Sequence, residues 1–139
     1  MTRMSLDEKR AFLAGLHVGI LGLEDPGSGP LLAPVWYDVA PGDQLWFTTD
    51  AGSRKGRLLE VGRRVSLVAQ TETSPYTYVS TEGPVVSIRG ASDEELLHMA
   101  VRYLGEERGT AYANSGGFEG QVTVHVAIER WLGVDYRKE

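Results

Sequence analysis

The run 121-QVTVHVAIERW-131 places Val122, Val124, Val126 and Ile128 on one face and Thr123, His125 and Ala127 on the other. Successive side chains of a pleated strand point to opposite sides, so this period suits a strand with one face on a core and suits no helix. Five further runs read as strands: 17-HVGILGLED-25, 30-PLLAPVWYDVA-40, 45-LWFTTD-50, 64-RVSLVAQ-70 and 76-YTYVSTEGPVVSI-88. The clusters 26-PGSG-29 and 41-PGDQ-44 carry the Gly and Pro that tight connections need, so neighbouring strands are expected to run antiparallel. Gly83 and Pro84, in the middle of the longest run, predict a bulge or a bent edge.

Helical signals fall between the strands. The segments 5-SLDEKRAFLAGL-16 and 92-SDEELLHMAVRYLG-105 each begin with Ser and carry Glu three residues on, the capping-box spacing. In the second, Leu96, Leu97, Ala100, Val101 and Leu104 form the stripe expected to face the core. A short helix is expected at 106-EERGTAYA-113, before the loop 114-NSGGFEG-120, and another from Ser53 to about Val61. Six strands within 139 residues favour a closed or half-closed antiparallel barrel with peripheral helices, in a single domain spanning 1–139.

Charge and composition narrow the function. The formal net charge of -5 argues against a broad face for nucleic acid, which needs clustered Lys and Arg. No run approaches eighteen apolar residues and the first ten residues are polar, so a cytoplasmic chain without membrane span or secretory signal is expected. With no cysteine there is no thiolate metal site and no Cys nucleophile. His17, His98 and His125 lack metal-ligand spacing and are expected to be structural. The glycine-rich stretches 26-PGSGP-30 and 115-SGGFEG-120 lack the context of a nucleotide loop and read as turns.

The exception is 50-DAGSRKGR-57. A helix start is the positive end of the dipole and usually carries acids, yet Ser53 is followed by Arg54 and Lys55. Five of the fourteen basic residues, Arg54, Lys55, Arg57, Arg63 and Arg64, fall here within eleven positions. Two readings remain open: a solvated basic face, or a site where free N–H groups, the Ser53 hydroxyl, Arg54 and Lys55 hold a phosphate, with Gly52 allowing close approach. Trp36, Tyr37, Trp46 and Phe47 lie on strands leading into this turn, as core residues or as a surface for a flat ring.

The order of 30-PLLAPVWYDVA-40, 45-LWFTTD-50, 52-GSRKGR-57, 64-RVSLVAQ-70 and 78-YVSTEGPV-85 resembles the pyridoxamine 5'-phosphate oxidase-like, flavin-binding split-barrel superfamily. The ending 128-IERWLGVDYRKE-139 is similar to the C-terminal strand of its actinobacterial-type members. The resemblance implies a six-stranded split barrel working as a homodimer, with FMN or the deazaflavin F420 in a groove between subunits. It implies that Ser53, Arg54 and Lys55 bind the cofactor phosphate, with Arg57 or Arg63 available for a longer anionic tail. Pro34, Val35, Trp36, Thr48 and Thr49 would line the ring, and Trp131 would approach the cofactor of the other subunit. Tyr78 stands where the true oxidases carry Gln, and their C-terminal substrate-phosphate segment is absent. The resemblance therefore points to a flavin- or F420-dependent reductase of a small molecule, with Tyr76 and Tyr78 as candidate proton donors. The alternative is a non-catalytic binder of flavin, haem or another planar ligand.

Overall fold

The computed structural model describes residues 1–139. Its elements in chain order are α1 (Leu6–Ala14), β1 (Val18–Leu23), β2 (Leu31–Trp36), β3 (Asp38–Ala40), β4 (Gln44–Asp50), α2 (Arg54–Leu58) and β5 (Arg64–Gln70). They continue with β6 (Thr77–Gly90), α3 (Asp93–Leu104), α4 (Glu106–Ala113), β7 (Gln121–Ala127), β8 (Arg130–Asp135) and a last turn of 3-10 helix. Both capping boxes form: Ser5 with Glu8 at α1 and Ser92 with Glu95 at α3.

The six expected runs are all strands, but two are broken, which makes eight. The sheet order is β2-β1-β5-β6-β7-β4-β3, with β8 also paired to β6 and every pairing antiparallel. The two ends of that path, β2 and β3, are separated in sequence by Tyr37 alone. The sheet therefore has to curl until its ends meet, and the result is a mainly β split barrel.

Each break has a physical cause in a change of partner. At Tyr37 the chain leaves β1 and joins β4. The ring of Tyr37 is fully buried, its hydroxyl donates to the Leu13 carbonyl at 2.6 Å, and its backbone N–H donates to the Tyr103 hydroxyl at 3.0 Å. The Tyr37 carbonyl accepts from Arg102 Nε at 3.0 Å. Side chains of α3 thus satisfy the backbone groups that the broken ladder leaves open. At the second break, Ile128 N–H donates to the Asp43 carbonyl and Glu129 N–H to that of Glu82.

The central strand β6 serves both halves of the barrel, pairing β8 over Thr77–Glu82 and β7 over Val85–Gly90. The β7–β8 corner crosses it at Gly83, where an added Cβ would stand 1.7 Å from the Ala127 carbonyl oxygen. Glycine is needed there for close approach, and the bulge itself falls just beyond, between Val85 and Ser87. The core inside the barrel includes Leu21, Tyr37, Phe47, Leu67 and Val124, each at most 1% exposed.

Two helical expectations change. The Ser53 helix ends at Leu58 instead of Val61, so it has five residues and hardly more than one turn. Its dipole is correspondingly small, and Lys55 and Arg57 both fall within its last turn. Helix α3 packs outside the barrel: its buried residues are Met99 and Ala100, while Leu97, expected on the core stripe, is 39% exposed. Thr123 on the outward face of β7 is buried all the same, because α3 covers it and Glu95 accepts its hydroxyl proton at 2.9 Å.

Candidate functional site

A cavity of about 280 Å³ opens where β2, β4 and α2 meet the pair α3 and α4. Pro34, Val35 and Trp36 of β2, Thr48 of β4 and Lys55 of α2 form one side. Leu96, Met99 and Ala100 of α3 with Tyr112, Phe118 and Gln121 form the other. The structure thus brings together five of the residues singled out from sequence. It adds a second wall whose α3 contribution, Leu96, Met99 and Ala100, has the spacing i, i+3, i+4, with Tyr103 at i+7 stacked on Trp36. That spacing is legible in the sequence beside the Leu96, Leu97, Ala100, Val101 and Leu104 stripe.

The aromatic residues divide by the alternation of their strands. Tyr37 and Phe47 point inward and are fully buried. Trp36 points into the cavity, where Tyr103 stacks on it at 5.0 Å with an interplanar angle of 5° and Tyr112 meets it edge-on at 6.0 Å. Trp46 faces outward between His98 and His125. The histidines have structural partners: His17 with the Phe12 carbonyl, His98 with Asp38 and His125 with Gln44. No cluster of metal-ligating side chains occurs.

The basic turn separates into residues with partners and one without. The Ser53 hydroxyl donates to the Asp50 carbonyl at 2.7 Å and accepts from Gly56 N–H at 3.0 Å, so it is engaged in capping α2. Arg54 forms an ion pair with Asp25 from the β1–β2 turn. Arg57 donates to the Gly52 carbonyl at 2.9 Å, and Arg63 lies 3.7 Å from Glu60. Lys55 is half-buried in the cavity wall with no carboxylate beside it, and burial alone holds its pKa below the usual lysine value. Close approach in this turn depends on Gly56 instead of Gly52: a Cβ on Gly56 would lie 2.1 Å from the Asp50 carbonyl oxygen, whereas one on Gly52 would meet only the Asp50 side chain at 3.4 Å.

Four other sequence candidates lie elsewhere in the chain. Thr49 is on the inward face of β4 beside Phe47 and is 5% exposed, so the neighbouring Thr48 alone reaches the cavity. Trp131, on the inward face of β8, lines a separate cavity of about 240 Å³ with Arg10, Asp43 and Gln44. Tyr76 is 50% exposed before β6, and Tyr78 stands in register with Gln70 and Val134 on the outer face of the sheet. The tyrosine that does line the cavity is Tyr112. No local signal marks it in the sequence, because Tyr112 and Phe118 lie on a short helix and a loop with no periodicity tying them to the barrel.

Solved structures share this fold. A conserved hypothetical protein from Mycobacterium tuberculosis is 26% identical, with a TM-score of 0.76, covering 99% of this chain and 88% of that one. An F420 reductase matches with a TM-score of 0.71 at 19% identity, covering 88% of this chain and 94% of that one. An FAD-binding protein from Mesorhizobium loti matches with a TM-score of 0.69 at 18% identity, covering 97% and 98%. No curated protein matches the chain. Residues 5–135, nearly the whole barrel with both helical insertions, fit the family model described as pyridoxamine 5'-phosphate oxidase, and the chain belongs to that family.

Proposed function

We propose that this chain binds a flavin-type cofactor, FMN or F420, in the cavity at Lys55 and acts as an oxidoreductase on a small organic molecule. The observation that carries the reading is Lys55 itself. A half-buried ammonium without a counter-ion is unfavourable, and an anionic group at the cavity would supply the missing partner. Neighbouring structures described as an F420 reductase and as FAD-binding proteins support a cofactor of this class.

The residues present fit part of such a cofactor. A cavity of about 280 Å³ is at the small end for a ligand site, so it takes the ring or the phosphate end and leaves the remainder along the surface. Trp36 and Tyr112 offer apolar faces, Thr48 and Gln121 offer hydrogen bonds, and Lys55 offers charge. Arg54 contributes only by exchanging Asp25 for the ligand. When bound, the cofactor supplies hydride chemistry, while the protein orients it, excludes water and sets the local field. Tyr112, the tyrosine of the cavity lining, replaces Tyr76 and Tyr78 as the candidate proton donor.

The homodimer belongs to the same proposal. The outer face of the sheet carries a row in register across five strands, Pro34, Ile20, Val68, Ser80 and Leu132, apolar but for Ser80. Leu32 at 67% and Val18 at 50% exposure flank it. A second copy covering this face would complete the cavity edge at Pro34 and Trp36. No helix is long and apolar enough to cross a membrane.

Titration of the purified protein with FMN and with F420, followed by cofactor fluorescence, tests the reading. Micromolar binding of either is expected, and no change with both would overturn it. A bound cofactor that no quinone or enone reoxidises after reduction would favour the non-catalytic binder. Among the lining residues only Met99 and Tyr112 are of types that ligate haem iron, and no His or Cys is present, which makes haem the weaker ligand class here.

A further inference from the structure

A second and larger cavity, about 550 Å³, adjoins the first. It lies between the start of α3, the end of α4 and the loop 114–120, and Leu96 and Phe118 line both spaces. We infer that this cavity is the chamber for the second reactant, a small molecule with an apolar body and no negative charge. The inference rests on the Lys55 cavity being the cofactor site.

Three observations lead there. The volume falls in the range of about 300–1,000 Å³ usual for small-molecule sites, and the first cavity has no comparable room. Leu97 and Ala113 add apolar surface to that of Leu96 and Phe118, while the remaining charged lining is Asp93, Glu94 and Glu119, with no Lys or Arg. These carboxylates make no ion pair, so an anionic reactant meets repulsion and a neutral or cationic one does not. The cofactor cavity has the opposite sign, with Lys55 and no acid.

The wall between the two is Leu96 of α3 and one aromatic ring on an unusual loop. Phe118 packs edge-on against Tyr112 at 5.4 Å, and Tyr112 in turn meets Trp36. Gly116, Gly117 and Gly120 around it have φ of +85°, +83° and +87°, in the left-handed region that other residues avoid. The glycine-rich stretch read from sequence as a plain turn therefore fixes where Phe118 stands between the chambers.

Three naphthalene probes of one size and different charge test this: 2-naphthylmethylammonium, 2-naphthylmethanol and 2-naphthoate. Binding is read from NMR shifts of the Leu97 and Ala113 methyl groups, and FMN and F420 titrations are run on the same samples. The ammonium and the alcohol are expected to bind, with the carboxylate at least about tenfold weaker than the ammonium at low salt. Leu97→Trp and Ala113→Trp should each abolish probe binding and leave cofactor binding unchanged. Glu94→Gln with Glu119→Gln should narrow the charge preference and retain the alcohol. Carboxylate binding equal to that of the ammonium, or probe binding that survives both tryptophan variants, would overturn the chamber. If the probes bind as expected but neither cofactor does, the cavity is a ligand site and its assignment to a second reactant fails together with the cofactor reading.

Discussion

Arg54 and Lys55 are neighbours in sequence and differ in electrostatic circumstance. Arg54 reaches Asp25 across the β1–β2 turn, while Lys55 faces the cavity alone. The sequence shows that basic residues crowd the turn, and it cannot show which of them has a partner, because Asp25 is twenty-nine positions away. Replacing Lys55 by Ala should weaken cofactor binding by about 1.5–3 kcal/mol, the usual scale for a hydrogen bond to a charged group. The same change should raise or leave level the melting temperature without ligand. The sign follows from burial: the folded-state pKa lies below the unfolded value, so the unfolded chain binds more protons between the two. Stability lost to Lys55 is therefore fully lost below the folded pKa and recovered as pH rises past the unfolded value. Thermal scans of wild type and Lys55→Ala at pH 7 and pH 10.5 should show a gap that narrows at the higher pH. Gly56→Ala, by contrast, drives a Cβ into the Asp50 carbonyl and should cost about 3 kcal/mol or more, read by urea denaturation. The corresponding change at Gly52 should cost far less.

Among the elements, α3 does more than its amphipathic pattern indicates. It supplies the groups that close the backbone at Tyr37, forms one wall of the cavity and covers β7. Glu95 anchors it: the carboxylate accepts from Arg89 at 2.6 and 2.9 Å, from Ser92 N–H and from Thr123. The ion pair with Arg89 foremost holds its pKa down at about 2, against an ordinary 4.5. Glu95 therefore stabilises the fold fully above pH 4.5, and that contribution is lost as pH falls through about 2. Glu95→Gln should cost about 1–3 kcal/mol at pH 7 and differ less from wild type as pH falls from 4.5 toward 2. The capping box was plain in the sequence, since it is local. The strand breaks at Tyr37 and Ile128–Glu129 were not, because local alternation runs on through both while the hydrogen-bonding partner changes. The placement of α3 outside the barrel is hidden for a related reason: apolar periodicity shows that a face is covered and leaves open whether barrel core or ligand cavity lies beneath it.

For the whole molecule, curling of the sheet follows from the position of β2 and β3 at opposite ends of the strand order, and it leaves the outer face of β2-β1-β5-β6-β8 without helical cover. A monomer would expose the Pro34, Ile20, Val68 and Leu132 row to water, with Leu132 57% and Leu32 67% exposed. Contiguous apolar patches of this kind mark interaction surfaces, and a sheet face that a two-fold axis can bring against itself suits a second copy of the same chain. Because Pro34 and Trp36 belong both to this face and to the Lys55 cavity, dimerisation and cofactor binding should be linked. Leu32→Glu and Leu132→Glu lie on the face and outside the cavity lining, so each should shift sedimentation from dimer to monomer without unfolding the barrel. Cofactor affinity should fall in the same variants at concentrations where they are monomeric and recover at concentrations that restore the dimer. A wild-type protein that sediments as a monomer, or monomeric variants with undiminished affinity, would show that one chain makes the whole site.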